Sequence, residues 1–216
     1  MSEDTRLQHS VLEELKWQPS VTAGHIGVTA SGGVVTLSGH VDSYAKKLAV
    51  EAATRRVKGV KAVAQEIVVK LPFDTTRTDD EIAAAAIERL SWNVSVPKDS
   101  VVVKVESGWV TLTGQVNWWY QKDAVEQDIR PLHGVVGVSN QTTIKPHVNT
   151  ANLSDDITHA LHRSWFFDPD NVHVRANGGN IVLTGTVNSF HEREVAGRTA
   201  WSAHGTTNVE NDIAVI

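Results

Sequence analysis

The feature that most constrains this chain is an internal repeat. The runs Gly33-Val-Val-Thr-Leu-Ser-Gly39-His-Val41, Gly108-Trp-Val-Thr-Leu-Thr-Gly114-Gln-Val116 and Gly179-Asn-Ile-Val-Leu-Thr-Gly185-Thr-Val187 recur at spacings of 75 and then 71 residues. From the first glycine of each run to the end of each copy the register holds without a gap. Self-similarity sustained over such a period marks one structural unit used repeatedly. The 216 residues therefore divide into modules at 1–74, 75–147 and 148–216.

Within each run the apolar residues alternate, as Val35, Leu37 and Val41 do in the first copy, which is the period of a strand with one buried face. Another alternating pair precedes it in register, Ile26/Val28, Val101/Val103 and Val172/Val174. Between the two lie Gly32-Gly33, Ser107-Gly108 and Gly178-Gly179, which are turn signals, so each copy starts its sheet with a hairpin. Asp42, Asn117 and Asn188 follow the hairpin as expected helix N-caps. Gly59, Gly134 and Gly205, preceded by Lys58, His133 and His204, are the expected helix ends. Pro131 should kink or shorten the second copy's helix. A Val-rich strand closes each copy. Ahead of each hairpin, Leu7/Val11/Leu15, Ile82/Ala86/Leu90 and Leu153/Ile157/Leu161 have helical period, and Thr78 with Glu81 has the pattern of a capping box.

The fold class is therefore α+β: three tandem α-β-β-α-β modules, each a three-stranded mixed sheet with two helices on one face. The other face, carrying Thr36, Ser38, His40, Thr111, Thr113, Gln115, Thr184 and Thr186, faces either water or a neighbouring copy.

The net charge of −5 argues against a dedicated nucleic-acid binder, which needs clustered Lys and Arg to neutralise phosphates. The three copies carry +1, −2 and −4, so they differ electrostatically. With no cysteine, disulfides, thiolate metal sites and cysteine redox chemistry are excluded. Residues 1–10 lack the basic segment and apolar run of a secretory signal, and no stretch reaches the roughly twenty apolar residues of a membrane-spanning helix. The chain as written is expected in the cytoplasm; a removed leader would place it in the periplasm.

The element order, the Gly-x-Val-Thr-Leu-x-Gly-x-Val run after a first hairpin strand, and the helix ending in Gly before a Val-rich strand together resemble the BON domain, three times over and across nearly the whole chain. The resemblance implies osmotic shock protection and phospholipid or membrane-surface interaction. In some members it also implies binding of a small ligand or potassium ion. It brings no shared catalytic residues and no cofactor. Many members are periplasmic and carry a leader.

Candidate sites lie mostly in what does not repeat. Lys46, Lys47, Arg55, Arg56, Lys58 and Lys61 form a basic cluster suited to anionic headgroups, where each basic residue near the surface contributes about 1 kcal/mol, or else a solvated helix face. Tyr44, Trp119 and Phe190 occupy one repeat position and are expected to pack on the sheet. Trp118, Phe166 and Phe167 have no counterpart in the other copies and are candidates for contacts between modules or with a ligand. His159 and His162 lie three apart on a helix, too few for a metal without a third ligand. Gly134-Val-Val-Gly137 matches an RNA-binding Gly-x-x-Gly loop but lacks its basic neighbours and its position between helices. No catalytic motif repeats between copies, and no enzyme is expected. The leading expectation is a non-enzymatic protein whose modules dock on phospholipid surfaces or envelope partners during stress. The second is a cytoplasmic scaffold, or a sensor of ions or small ligands, that acts through module packing across the short connectors at Leu71-Pro72-Phe73-Asp74 and Lys145-Pro146-His147.

Overall fold

The computed structural model describes residues 2–146, 152–163 and 171–216. Module 1 runs α1 (Glu3–Trp17), β1 (Ile26–Ser31), β2 (Val34–Val41), α2 (Tyr44–Arg56) and β3 (Ala62–Val69). Module 2 runs α3 (Asp79–Trp92), β4 (Val101–Glu106), β5 (Trp109–Val116), α4 (Trp119–Ile129), β6 (Gly137–Asn140) and β7 (Thr143–Ile144). Module 3 runs α5 (Leu153–His162), β8 (Val172–Asn177), β9 (Asn180–Val187), α6 (Phe190–Ser202) and β10 (Asn208–Val215). In each module the hairpin is antiparallel and the last strand pairs parallel with the hairpin's second strand, which is therefore central. Val34 faces Ala62, Trp109 faces Gly137 and Asn180 faces Asn208, so the register repeats with the sequence.

Each module has its own core. Val11, Leu15, Val35, Leu37 and Val50 are buried together in the first; Ile82, Val110, Leu112, Val125 and Ile129 in the second; Ile157, Leu161, Ile181, Leu183 and Ala196 in the third. Burying one such branched side chain contributes about 1.5–3 kcal/mol, which is why the alternating and period-four positions are the ones the three copies share. The sheet's other face is largely open, with Ser38, Thr113 and Gln115 exposed.

The second glycine of each run is required by backbone approach. Gly39, Gly114 and Gly185 have φ of +115, +134 and +126, and a Cβ on any of them would collide with the carbonyl oxygen of His25, Ser100 or Asn171 at the start of the hairpin's first strand. The Gly134-Val-Val-Gly137 sequence has a structural explanation too. Gly134 has φ +88 against Ile82, and the Trp109 indole covers Gly137.

The helix ends differ from expectation in detail. The N-caps are Ser43 and Ser189, one residue after Asp42 and Asn188, and their hydroxyls accept from the N–H groups of Lys46 and Glu192. Asp42 instead pairs with Lys46 Nζ at 2.6 Å. In module 2 Trp118 holds the cap position, and the Gln121 side-chain oxygen accepts from the N–H groups of Asn117 and Trp118. Gly59, Gly134 and Gly205 are left-handed, with φ of +91, +88 and +99, but lie in the turns that follow the helices. Pro131 stands where module 1 has Arg56, and α4 stops at Ile129, with 11 residues against 13 in α2 and α6. Thr78 and Glu81 form the expected capping box.

Module 2's last strand is split. Thr142 occupies the position of Ile67 and Ile213 and is just as buried, and its hydroxyl bonds Asn140 Oδ1 at 2.6 Å. Lys122 Nζ donates to the Thr142 carbonyl at 2.6 Å, and burial lowers the pKa of that amine.

The modules meet through their second helices, and this overturns the expectation that Tyr44, Trp119 and Phe190 pack on their own sheets. Tyr44 packs against the core of module 2. Trp119 stacks on Trp201 of module 3, with ring centroids 6.4 Å apart and planes at 17°. Phe190 packs against the core of module 1, with the Arg55 guanidinium 5.9 Å from its ring centroid. A periodic pattern identifies a half-buried position without saying which core receives the side chain.

Candidate functional site

The basic cluster is dispersed, and three of its six cations are paired with carboxylates of the chain. Lys46 pairs with Asp42, Arg55 with Glu51 at 2.5 Å, and Arg56 with Glu14 at 2.8 Å. Lys47 is half-buried; its backbone carbonyl accepts from the Gln65 amide. Lys58 and Lys61 lie beyond the end of α2, exposed, along a groove that also takes in Arg6, Glu3 and Asp4. Carboxylates therefore interleave with the cations, and the six residues present no continuous positive face.

Trp118 lies against His204 of module 3, ring centroids 4.3 Å apart, beside the Trp119–Trp201 stack. Phe166 and Phe167 lie outside the described residues. His159 is exposed on α5 and, with Asp156, Arg163 and His204, lines a polar groove of module 3. In modules 1 and 2 the corresponding helices are tied across by polar side chains: Arg56 bridges to Glu14, while Asp128 accepts from Arg89 and Asn93. Among the described residues, no three His, Asp or Glu side chains gather to hold a metal ion.

Sequence reasoning missed a second aromatic set. Trp17 and Trp92 end the first helices of modules 1 and 2 at equivalent repeat positions and are 84% and 79% exposed. Phe73, in the connector between those modules, is 98% exposed. Two indoles left in water at one repeat position are candidates for an interaction surface. The available signal was the 75-residue equivalence of Trp17 and Trp92 just past the last buried helical leucine of each copy, Leu15 and Leu90. Among the described residues no helix is long and apolar enough to cross a membrane.

Comparison with known proteins agrees with this architecture. The BON domain model matches residues 3–70, 78–146 and 149–216. The chain is 30% identical over 151 residues to Osmotically-inducible protein Y of Escherichia coli (strain K12), an alignment covering 66% of this chain and 73% of the relative. Among solved structures it is similar to CdsD, a structural protein of the Type III secretion system of Chlamydia trachomatis, at 17% identity and a TM-score of 0.28 over 98% of this chain and 92% of the other. The C-terminal domain of CdsD gives 17% identity and a TM-score of 0.27, with both chains fully covered. At those scores neither fold nor function is carried across from CdsD. Three matches that together span nearly the whole chain, on modules of the same strand order and register, place this protein in the BON domain family.

Proposed function

We propose that this chain is a non-enzymatic, osmotic-stress-associated binding protein that docks on phospholipid membrane surfaces through the first-helix ends of modules 1 and 2. The observation that carries the reading is the pair of exposed indoles, Trp17 and Trp92. Tryptophan favours the membrane–water interface, where its apolar ring leaves water while its N–H stays solvated. The stress association rests on the similarity to Osmotically-inducible protein Y. The basic α2 cluster makes a poor docking surface, because Lys46, Arg55 and Arg56 pair with the chain's own carboxylates and Lys58 and Lys61 share their groove with Glu3 and Asp4. Binding should therefore depend only weakly on salt, unlike a polybasic anchor.

The test is co-sedimentation with zwitterionic and anionic vesicles at low and moderate salt. The wild-type chain should pellet in both salts, and Trp17→Ser with Trp92→Ser should weaken binding at least about tenfold. No pelleting in any condition, or an unaffected double variant, would overturn the reading. A second reading, a scaffold or sensor of ions or small ligands acting through module packing, is favoured by the aromatic joints between modules. A thermal shift that responds to a particular monovalent or divalent ion would support it over membrane docking.

A further inference from the structure

The three joints between modules follow one rule. The aromatic at the start of a second helix meets the residue at the end of the next module's second helix. The starting positions are 44, 119 and 190 and the receiving positions 55, 130 and 201, related by the same 75 and 71 residues as the repeat. Tyr44 lies by Arg130, Trp119 on Trp201, and Phe190 by Arg55. Module 1 thus docks on 2, 2 on 3, and 3 on 1: a closed head-to-tail ring inside one chain.

Two of these joints join modules consecutive in sequence, through the connector at 70–78 and the one that begins at 145. The joint from module 3 to module 1 has no connector. It is also built differently. Phe190 packs against the module 1 core, with the guanidinium of Arg55 5.9 Å and that of Arg193, on its own helix, 6.0 Å from its ring centroid, whereas the joint from 2 to 3 stacks Trp119 on Trp201 and sets Trp118 tilted against His204.

We propose that the joint between modules 3 and 1 is the seam at which the ring opens, and that its two faces are the interface through which the chain pairs with a second copy of itself. An open chain exposes Phe190 on module 3 and the Arg55 seat on module 1. These faces are complementary but distinct, so they form a heterologous interface. Two copies that exchange module 3 re-form both of its joints, from 2 to 3 and from 3 to 1, between chains, so the dimer contains the same six joints as two closed monomers. The closed monomer is favoured at low concentration because the connectors hold the faces at an effective concentration on the order of millimolar. The exchanged dimer accumulates as the protein concentration approaches that value, or when chains refold together.

The experiment uses the full chain, passed through mild urea and returned to buffer at concentrations from micromolar to millimolar. Mass is read by size exclusion with light scattering. Because the chain has no cysteine, donor and acceptor dyes can be placed on an exposed Ser31→Cys in separate samples that are then mixed. The expected result is a monomer at micromolar concentration and a dimer fraction that grows with concentration and shows energy transfer between copies. Phe190→Ala should abolish the dimer. Arg55→Ala, a surface change at the other face of the joint, should shift the dimer fraction with far less risk to folding. A chain that stays monomeric throughout, or variants that dimerise as the wild type does, would overturn the proposal. Vesicle binding is read separately, so either proposal can fail alone.

Discussion

The hydroxyl of Tyr44 reports on a joint that no module contains by itself. Burial raises its pKa above the usual phenol range, opposed by a hydrogen bond with the Val138 backbone and by the nearby Arg130 charge. In the unfolded chain the same phenol ionises near pH 10. A group whose pKa is raised on folding contributes stability that is fully present below the unfolded value and is lost as pH rises through the folded one. The joint from module 1 to module 2 should therefore weaken only above about pH 10. A spectrophotometric titration should show a late-ionising phenol, and Tyr44→Phe should remove that component together with the alkaline loss of stability. If the component lost in the variant ionises in the ordinary phenol range, Tyr44 does not occupy the joint.

Among the elements, the tie between first helix and hairpin shows what the sequence reveals and what it hides. Asp79, in the first turn of α3, accepts from the N–H groups of Ser107 and Gly108 in the turn between β4 and β5, at 2.8 and 2.9 Å. Asp4 does the same for Gly32 in module 1. The turn leaves these N–H groups without strand partners, and a carboxylate forms the stronger, charge-assisted kind of hydrogen bond. Asp79→Ala should cost roughly 1–3 kcal/mol in urea unfolding, while Asp80→Ala, one residue along and exposed, should cost little. Equal effects of the two would remove Asp79 from this role. Strands, helices and turn glycines were legible because alternation, period four and positive φ are local properties. The caps slipped by one residue because Asp42-Ser43 and Asn188-Ser189 each place two good cap residues side by side, and only backbone geometry chooses between them. The split of the last strand turned on Thr142, where a hydroxyl replaces the buried Ile of the other copies. In the candidate site, the basic residues were visible in the sequence, but the pairing of Arg56 with Glu14 depended on how two helices meet. The exposed indoles and the joint aromatics were both visible as residues, yet which rings are covered is decided by neighbouring modules.

At the scale of the molecule, closure makes an energetic pattern that a string of beads lacks. Each module of about seventy residues has a small core and is marginal alone, so coupling through the joints should make the chain unfold as one unit. In a linear string, cutting the joint from 2 to 3 would free the terminal module at once. In the ring, module 3 is held on both sides, by Trp119 on Trp201 and by Phe190 at Arg55. Trp119→Ala alone should lower the melting temperature but keep one transition, and Phe190→Ala alone should do the same. The double variant should split the calorimetric trace into two, with module 3 melting apart from the rest. The coupling between the two substitutions should be non-additive, although they lie in different joints, because each supports the module that the other releases. A trace already split in Trp119→Ala would show that the joint to module 1 does not hold, and the molecule would then behave as an open chain of modules.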